Sequence, residues 1–187
     1  VMVVHGWQRL IPGEILSAFT QGGLGLHGSA FGLPKGRGRS PMNWSLIENL
    51  NRFVLSLIHL DEGADSGGVL HSKKFNITDF ETIKTMYYKL VVAAQQMFDE
   101  ILLDGLKRGF DPEPQEGEPT YYPKRTPGDG AINWDDPTRV IYNLVRAVAK
   151  PYPGAYTEYE DERIYIWDSQ PFSGDFLFDK EPGTILQ

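Results

Sequence analysis

The chain contains no cysteine. That single absence excludes a disulfide framework, a thiol nucleophile and thiolate metal ligands together. Histidine is also scarce: the four present, His5, His27, His59 and His71, lack the spacing that would offer a pair of ligands to zinc, so no metal is expected. Long apolar runs are missing as well. Residues 53–60 and 90–94 fall far short of the roughly 20 residues that a membrane-crossing helix needs, and no cleavable leader is expected before them. The expectation is a cytoplasmic chain that does not enter a membrane. Positive charge is in deficit: 18 Lys and Arg against 25 Asp and Glu leave a net charge of −7 and a pI near 5.1. The average surface therefore repels a polyanion, which makes nucleic acid an unfavourable partner, although a local basic patch stays compatible with that balance. What is present is 187 residues, 41% hydrophobic, enough for one core of ordinary size with a small appendage. Any chemistry has to use oxygen and nitrogen groups.

The chain pattern alternates strands and helices. Residues 1–4, a β-branched run, read as a buried strand, and Pro12-Gly13-Glu14 opens a short helix reaching Phe19. Residues 24–27 read as a second strand, followed by a glycine-rich loop over 28–38 and a helix from about Ser40 to Glu48. A third strand spans 53–60; the acidic turn 61–68 joins it to 69–75, as a hairpin or as a bent continuation of one sheet. Thr78 with Glu81 has the form of a capping box for the longest helix. Its apolar positions Phe80, Ile83, Tyr87, Leu90, Val91, Ala94, Phe98, Ile101 and Leu102 keep a 3.6-residue period, and Gly105 and Gly109 bracket its end. Residues 111–119 hold three prolines and four acids, a composition that cannot pack a core and reads as a linker. Beyond it, Pro137 begins a helix running to about Ala149, and 156–159 with 164–167 alternate as a strand pair. The expected class is α/β, divided into residues 1–112 and a linker with a small C-terminal α+β subdomain over 113–187.

Two polar groups sit where strands give way to loops. His27 ends an apolar strand, and Asp65 lies in the turn after another. Sheets of this class collect reactive groups at such ends, because the strands fix them while loops surround a ligand. Taken alone, a strand-end histidine is more often an ordinary structural hydrogen-bonder, and an aspartate in a glycine-rich turn an ordinary turn former.

The words around these residues are more specific. His27-Gly28-Ser29, Leu33-Pro34-Lys35 and Arg37-Gly38-Arg39-Ser40-Pro41-Met42-Asn43-Trp44 resemble the HxSLLPxxRG signature of the formyltransferase superfamily that uses 10-formyltetrahydrofolate. Residues 61–67 resemble its second signature, a DxGxDxG turn. Gly6-Trp7-Gln8-Arg9-Leu10-Ile11-Pro12 is similar to its loop beside the folate, and Lys124-Arg125-Thr126-Pro127 with 132–134 and 145–155 to the region after its catalytic domain. Four collinear motifs make the match specific. It includes methionyl-tRNA formyltransferases and sugar N-formyltransferases such as the domain acting on UDP-4-amino-4-deoxy-L-arabinose.

The resemblance implies a Rossmann-like formyltransferase sheet, with the family's N-terminal βα units expected to be missing. It implies formyl transfer from 10-formyltetrahydrofolate to the amine of a nucleotide-linked sugar, with methionyl-tRNA as the other acceptor. His27 and Asp65 become the catalytic pair. An imidazole donates to the oxygen that turns negative as the amine attacks, and the carboxylate orients the ring and accepts the amine's proton. Trp7, Ile11, Pro12, Asp61 and Gly63 fall at the folate side, where Trp7 and Ile11 are equally suited to buried packing. Ser29, Pro34, Arg37, Lys124 and Arg125 fall at the acceptor side, and a homodimer through C-terminal elements is implied. Two departures stand out. The family's asparagine two residues before the histidine is here Gly25, which removes a donor worth about 100- to 1,000-fold in rate. Asn43 is a candidate replacement, and a folate- or nucleotide-binding homologue of impaired activity is the alternative reading. Ala30-Phe31-Gly32 also lengthens the loop after Ser29 by about two residues relative to that signature.

Overall fold

The structure, a computed structural model, describes residues 1–7, 9–176 and 179–185. In chain order its elements are β1 (Met2–Val4), α1 (Gly13–Ser17), β2 (Gly23–Ser29), β3 (Arg37–Gly38), α2 (Pro41–Ile47), β4 (Arg52–His59) and β5 (Val69–Asn76). There follow α3 (Ile83–Arg108), β6 (Tyr121–Tyr122), a 3-10 turn at Pro127–Gly130, α4 (Thr138–Val148), β7 (Ala155–Tyr159) and β8 (Glu162–Ile166). A mixed sheet runs in the order β1-β2-β4-β5; only β1 and β2 are parallel, and 69–76 returns as a hairpin with 52–59. The class is α/β, as expected.

Period-two alternation along β2 decides which groups face the core. Leu24, Leu26 and Gly28 pair across to His59, Leu57 and Leu55, and Leu24, Leu55 and Leu57 pack against Ala93, Ala94 and Met97 of α3. Each such leucine, at most 1% exposed, contributes roughly 1.5–3 kcal/mol of burial free energy. The odd positions Gly25, His27 and Ser29 consequently point to the other face. A second cluster joins Met42 and Leu46 of α2, Phe53, and Ile83 and Met86 of α3 to Val145, Ala147, Val148 and Ala155. The helix and strand beyond the linker thus share a core with the sheet. Arg146, 4% exposed, lies within that junction and is satisfied there: it donates to the carbonyls of Thr78 and Glu81 and to Asn143 Oδ1.

Three local expectations are corrected. Thr78 and Glu81 do bond as a box, through the Thr78 N–H and Oγ1, yet α3 starts later, capped by Thr82 with Thr85. The earlier box closes a separate turn, which leaves Phe80 88% exposed; Val91 faces outward too. β1 is an edge strand with a single neighbour, so Val3 is half-exposed in a run that its composition marks as buried. The linker is not a free spacer either: Val69 and Glu113 exchange backbone hydrogen bonds, and β6 pairs in parallel with β3. Among the described residues no helix is long and apolar enough to cross a membrane, and no three His, Asp or Glu side chains gather as a metal site.

Candidate active site

His27 and Asp65 meet. The ring sits on β2 at 8% exposure, its Nδ1 3.2 Å from Asp65 Oδ1 and its Nε2 2.9 Å from the carbonyl oxygen of Gly36. A carbonyl only accepts, so Nε2 donates there; facing a carboxylate, Nδ1 donates as well when the ring carries both hydrogens. Asp65 arrives from the turn after β4 with left-handed backbone (φ 55°), a conformation aspartate tolerates better than most residues. Its Oδ2 accepts the Gly38 N–H at 2.9 Å. Gly38 itself needs to be glycine: at φ 96° a Cβ would lie 2.5 Å from the Tyr122 carbonyl oxygen. Burial pushes the Asp65 carboxyl up, but the His27 hydrogen bond and charge, the Gly38 N–H and the Arg37 guanidinium outweigh it, so the group lies below its ordinary value. A carboxylate held ionised against an imidazole is suited to orienting that ring and to taking a proton from an attacking amine.

Both side chains open into one cleft of about 860 Å³. One wall is apolar, formed by Trp7, Leu10, Ile11 and Leu60, with Trp7 and Leu10 both more than 60% exposed. The lining also carries Arg9, Arg39, Lys124 and Arg125 against Asp61 and Asp65, so the local charge is positive although the chain is acidic. Arg125 lies 5.1 Å over the Trp44 ring, which in turn stacks on Tyr122 at 5.8 Å. The guanidinium is thereby held at the rim by a cation–π contact rather than left to wander in solvent.

Of the residues expected from sequence, Trp7, Ile11, Asp61, Gly63, Lys124 and Arg125 line this cleft with His27 and Asp65. Four do not. Pro12 is the N-cap of α1, its carbonyl accepting from Ile15. Ser29 is fully buried, and its hydroxyl donates to the Lys35 carbonyl at 2.6 Å; Pro34 is buried in the same loop. Arg37 is turned away, with Nε and Nη2 on Gln115 Oε1 and Nη1 on the Tyr121 hydroxyl. Ser29 and Pro34 thus serve to close the loop before β3, and Arg37 is spent on the segment that folds β6 onto β3. Gln8 lies outside the described residues.

The place of the family's asparagine is filled in an unexpected way. A Cβ at Gly25 would stand 2.6 Å from Leu60 Cδ2, so the leucine occupies the space into which a longer side chain would project. Asn43 lines the cleft, yet its Nδ2 donates to the Ala147 carbonyl at 2.7 Å, so this N–H₂ is engaged by the end of α4. Its Oδ1 is buried with no hydrogen-bond partner among the described residues. Sequence reasoning missed Leu60 and Arg9 as wall residues, as well as the Tyr87–Tyr152 hydroxyl pair at 2.7 Å. Arg9 stands inside the motif similar to the family's folate loop; nothing in the sequence pairs the tyrosines, which sit 65 residues apart.

Residues 1–102 match the family described as formyl transferase, and residues 124–187 match the formyl transferase C-terminal domain. Among solved structures, methionyl-tRNA formyltransferase from Clostridium thermocellum is 25% identical with a TM-score of 0.77, covering 96% of this chain and 77% of that one. HypX from Aquifex aeolicus in complex with tetrahydrofolic acid shares the fold at 21% identity and TM-score 0.79, over 98% of this chain and 31% of its own. PseJ from Anoxybacillus kamchatkensis, in complex with UDP-4,6-dideoxy-4-formamido-L-AltNAc and tetrahydrofolate, shares it at 23% identity and TM-score 0.56, over 64% of this chain and 62% of that one. This chain spans about a third of HypX. With more than half its length matched by the first of these domains, the chain belongs to the formyl transferase family, whose formyl donor is 10-formyltetrahydrofolate.

Proposed function

We propose that the chain transfers a formyl group from 10-formyltetrahydrofolate to the amino group of a nucleotide-linked amino sugar, with His27 and Asp65 as the reacting pair. The observation that carries this reading is the pair itself, 3.2 Å apart in a cleft with one apolar wall and a cationic lining. The residues fit a folate. Exposed Trp7 and Leu10, with Ile11 and Leu60, offer flat apolar faces to a pterin, and a cleft of this size lies in the range of small-molecule sites. Bound there, the donor supplies the formyl carbon: the amine nitrogen bonds to it, and its bond to the folate nitrogen then breaks as that nitrogen takes up a proton. As charge develops on the formyl oxygen, His27 turns its Nε2–H from the Gly36 carbonyl to that oxygen, and Asp65 takes the proton that the amine loses and passes it on to the departing folate nitrogen.

The lining supports this acceptor class. Lys124 and Arg125 can hold diphosphate oxygens by charge-assisted hydrogen bonds, the guanidinium being set in place over the Trp44 ring. PseJ, in complex with a UDP-linked formamido sugar, is a relative in fold whose bound ligand has this chemistry. Initiator methionyl-tRNA is the second reading, favoured by the likeness to the Clostridium enzyme and opposed by a net charge of −7. Formyl transfer assayed with a UDP-linked amino sugar and with initiator methionyl-tRNA in parallel decides between them. Turnover of the sugar that disappears in His27→Ala and Asp65→Ala supports the proposal. Turnover of the tRNA alone replaces the acceptor, and folate binding without product from either leaves a binding homologue.

A further inference from the structure

We infer that residues 112–122 act as a strap that sets the geometry of the His27–Asp65 pair, with Gln115 as its principal positioning residue; this rests on the formyl-transfer reading for its kinetic consequence. By composition the segment is a spacer, and over 111–119 every residue is exposed except Pro112 and Gln115. Gln115 is the polar side chain it turns inward. Nε2 donates to the carbonyl oxygens of Asp65 at 2.8 Å and Gly67 at 2.7 Å. Oε1 accepts from Arg37 Nε at 3.2 Å and Nη2 at 2.7 Å. Two amide hydrogens and two lone pairs are all used, and the amide cannot be reversed, because carbonyls only accept and a guanidinium only donates.

One side chain therefore ties the turn that carries Asp65 to β3. Five residues later Thr120 repeats the arrangement on the other partner. Its Oγ1 accepts the Gly36 N–H at 2.9 Å and its carbonyl accepts the Arg37 N–H at 2.9 Å. Gly36 is the residue whose carbonyl accepts from His27 Nε2. The strap thus fixes the backbone behind both members of the pair, and its ends are pinned by the Glu113–Val69 exchange and by the β3–β6 pairing. Neither Gln115 nor Thr120 lines the cleft, so each acts through His27 and Asp65 rather than on a substrate. A separation of 3.2 Å has little slack: a slip of about 1 Å takes it beyond hydrogen-bonding range, and such misplacements cost on the order of 100-fold in rate.

The test compares Gln115→Met, Gln115→Glu, Thr120→Ser and Thr120→Val by two readouts: steady-state formyl transfer, and titration of the Asp65 carboxyl followed by ¹³C NMR. Met removes all four bonds at similar volume. Glu keeps acceptors for Arg37 but turns an oxygen towards two carbonyl oxygens, so it should disturb the turn most. The expected result is a fall in kcat of about 100-fold for Gln115→Glu, little change in KM for the acceptor, and an Asp65 carboxyl titrating closer to its ordinary value. Thr120→Ser should behave as wild type, while Thr120→Val should lose kcat. An Asp65 titration that stays at its wild-type position in both Gln115→Glu and Thr120→Val overturns the strap, whatever happens to thermal stability. If the wild-type chain shows no formyl transfer, the reaction assignment fails by itself, and the NMR readout alone still decides the strap: a raised Asp65 value in the uncharged variants Gln115→Met and Thr120→Val supports it, and an unchanged value in both overturns it.

Discussion

Replacing Gly25 with asparagine should restore the family's second donor only if Leu60 is trimmed at the same time. The Cβ that any side chain brings to position 25 would lie 2.6 Å from Leu60 Cδ2 and 3.2 Å from its Cγ. Carbon atoms prefer about 3.5–4.0 Å, so the leucine has to retreat by roughly 1 Å. Overpacking of this kind costs about 1–3 kcal/mol; the clashing atom is the end of a flexible, partly exposed side chain, which places Gly25→Asn near the lower figure. Leu60→Ala frees the space. In the double variant, the introduced asparagine would project from the same face of β2 as His27, about 7 Å along the strand, where its amide can join the imidazole in stabilising the oxygen of the formyl group. The gain from one well-placed donor is about 100- to 1,000-fold in single-turnover rate. The assay is formyl transfer under single-turnover conditions for wild type, each single variant and the double, alongside thermal melts. The reasoning fails if Gly25→Asn alone is as stable as wild type, or if the double variant is no faster than Leu60→Ala.

Asp65 should also govern part of the acid stability. Its folded value lies below the ordinary one, so its contribution is present above the unfolded carboxylate value of about 3.9 and lost as pH falls through the folded value. The difference in Tm between wild type and Asp65→Asn should therefore shrink on going from pH 7 to pH 3, and a constant difference contradicts the assignment. Arg125→Ala should raise KM for a diphosphate-bearing acceptor by about 10- to 100-fold, the worth of one charge-assisted bond, and the effect should weaken as salt rises; steady-state kinetics at two ionic strengths measure both. Arg37→Met should behave differently, lowering the urea midpoint by leaving Gln115 Oε1 without its donors, about 1–3 kcal/mol. A selective rise in acceptor KM with unchanged stability would falsify that placement of Arg37.

The sequence by itself determined the order of six of the strands and of the four helices and, through the resemblance its motifs carry, the family and the two residues that meet in the cleft; β3 and β6 it left in loops. It could do so because these are local properties. The alternation of 23–29 puts leucines on one face and His27 on the other, and the Asp61–Gly67 turn has the residue types that a left-handed aspartate requires. Even the loop words carried enough to mark Lys124 and Arg125, which tertiary contact brings to the cleft rim. What only the tertiary structure decided depends on pairs far apart in the chain. Arg37 looked like an anion ligand until Gln115, 78 residues on, took its guanidinium. Leu60 became the occupant of the space beside Gly25 through the pairing of β2 with β4, which no local pattern encodes. Acidic, proline-rich composition correctly marked 111–119 as exposed, yet composition averages over residues. A single glutamine turned inward changes what the segment does, because hydrogen-bond capacity is spent atom by atom, and its partners exist only once the chain has folded back on itself.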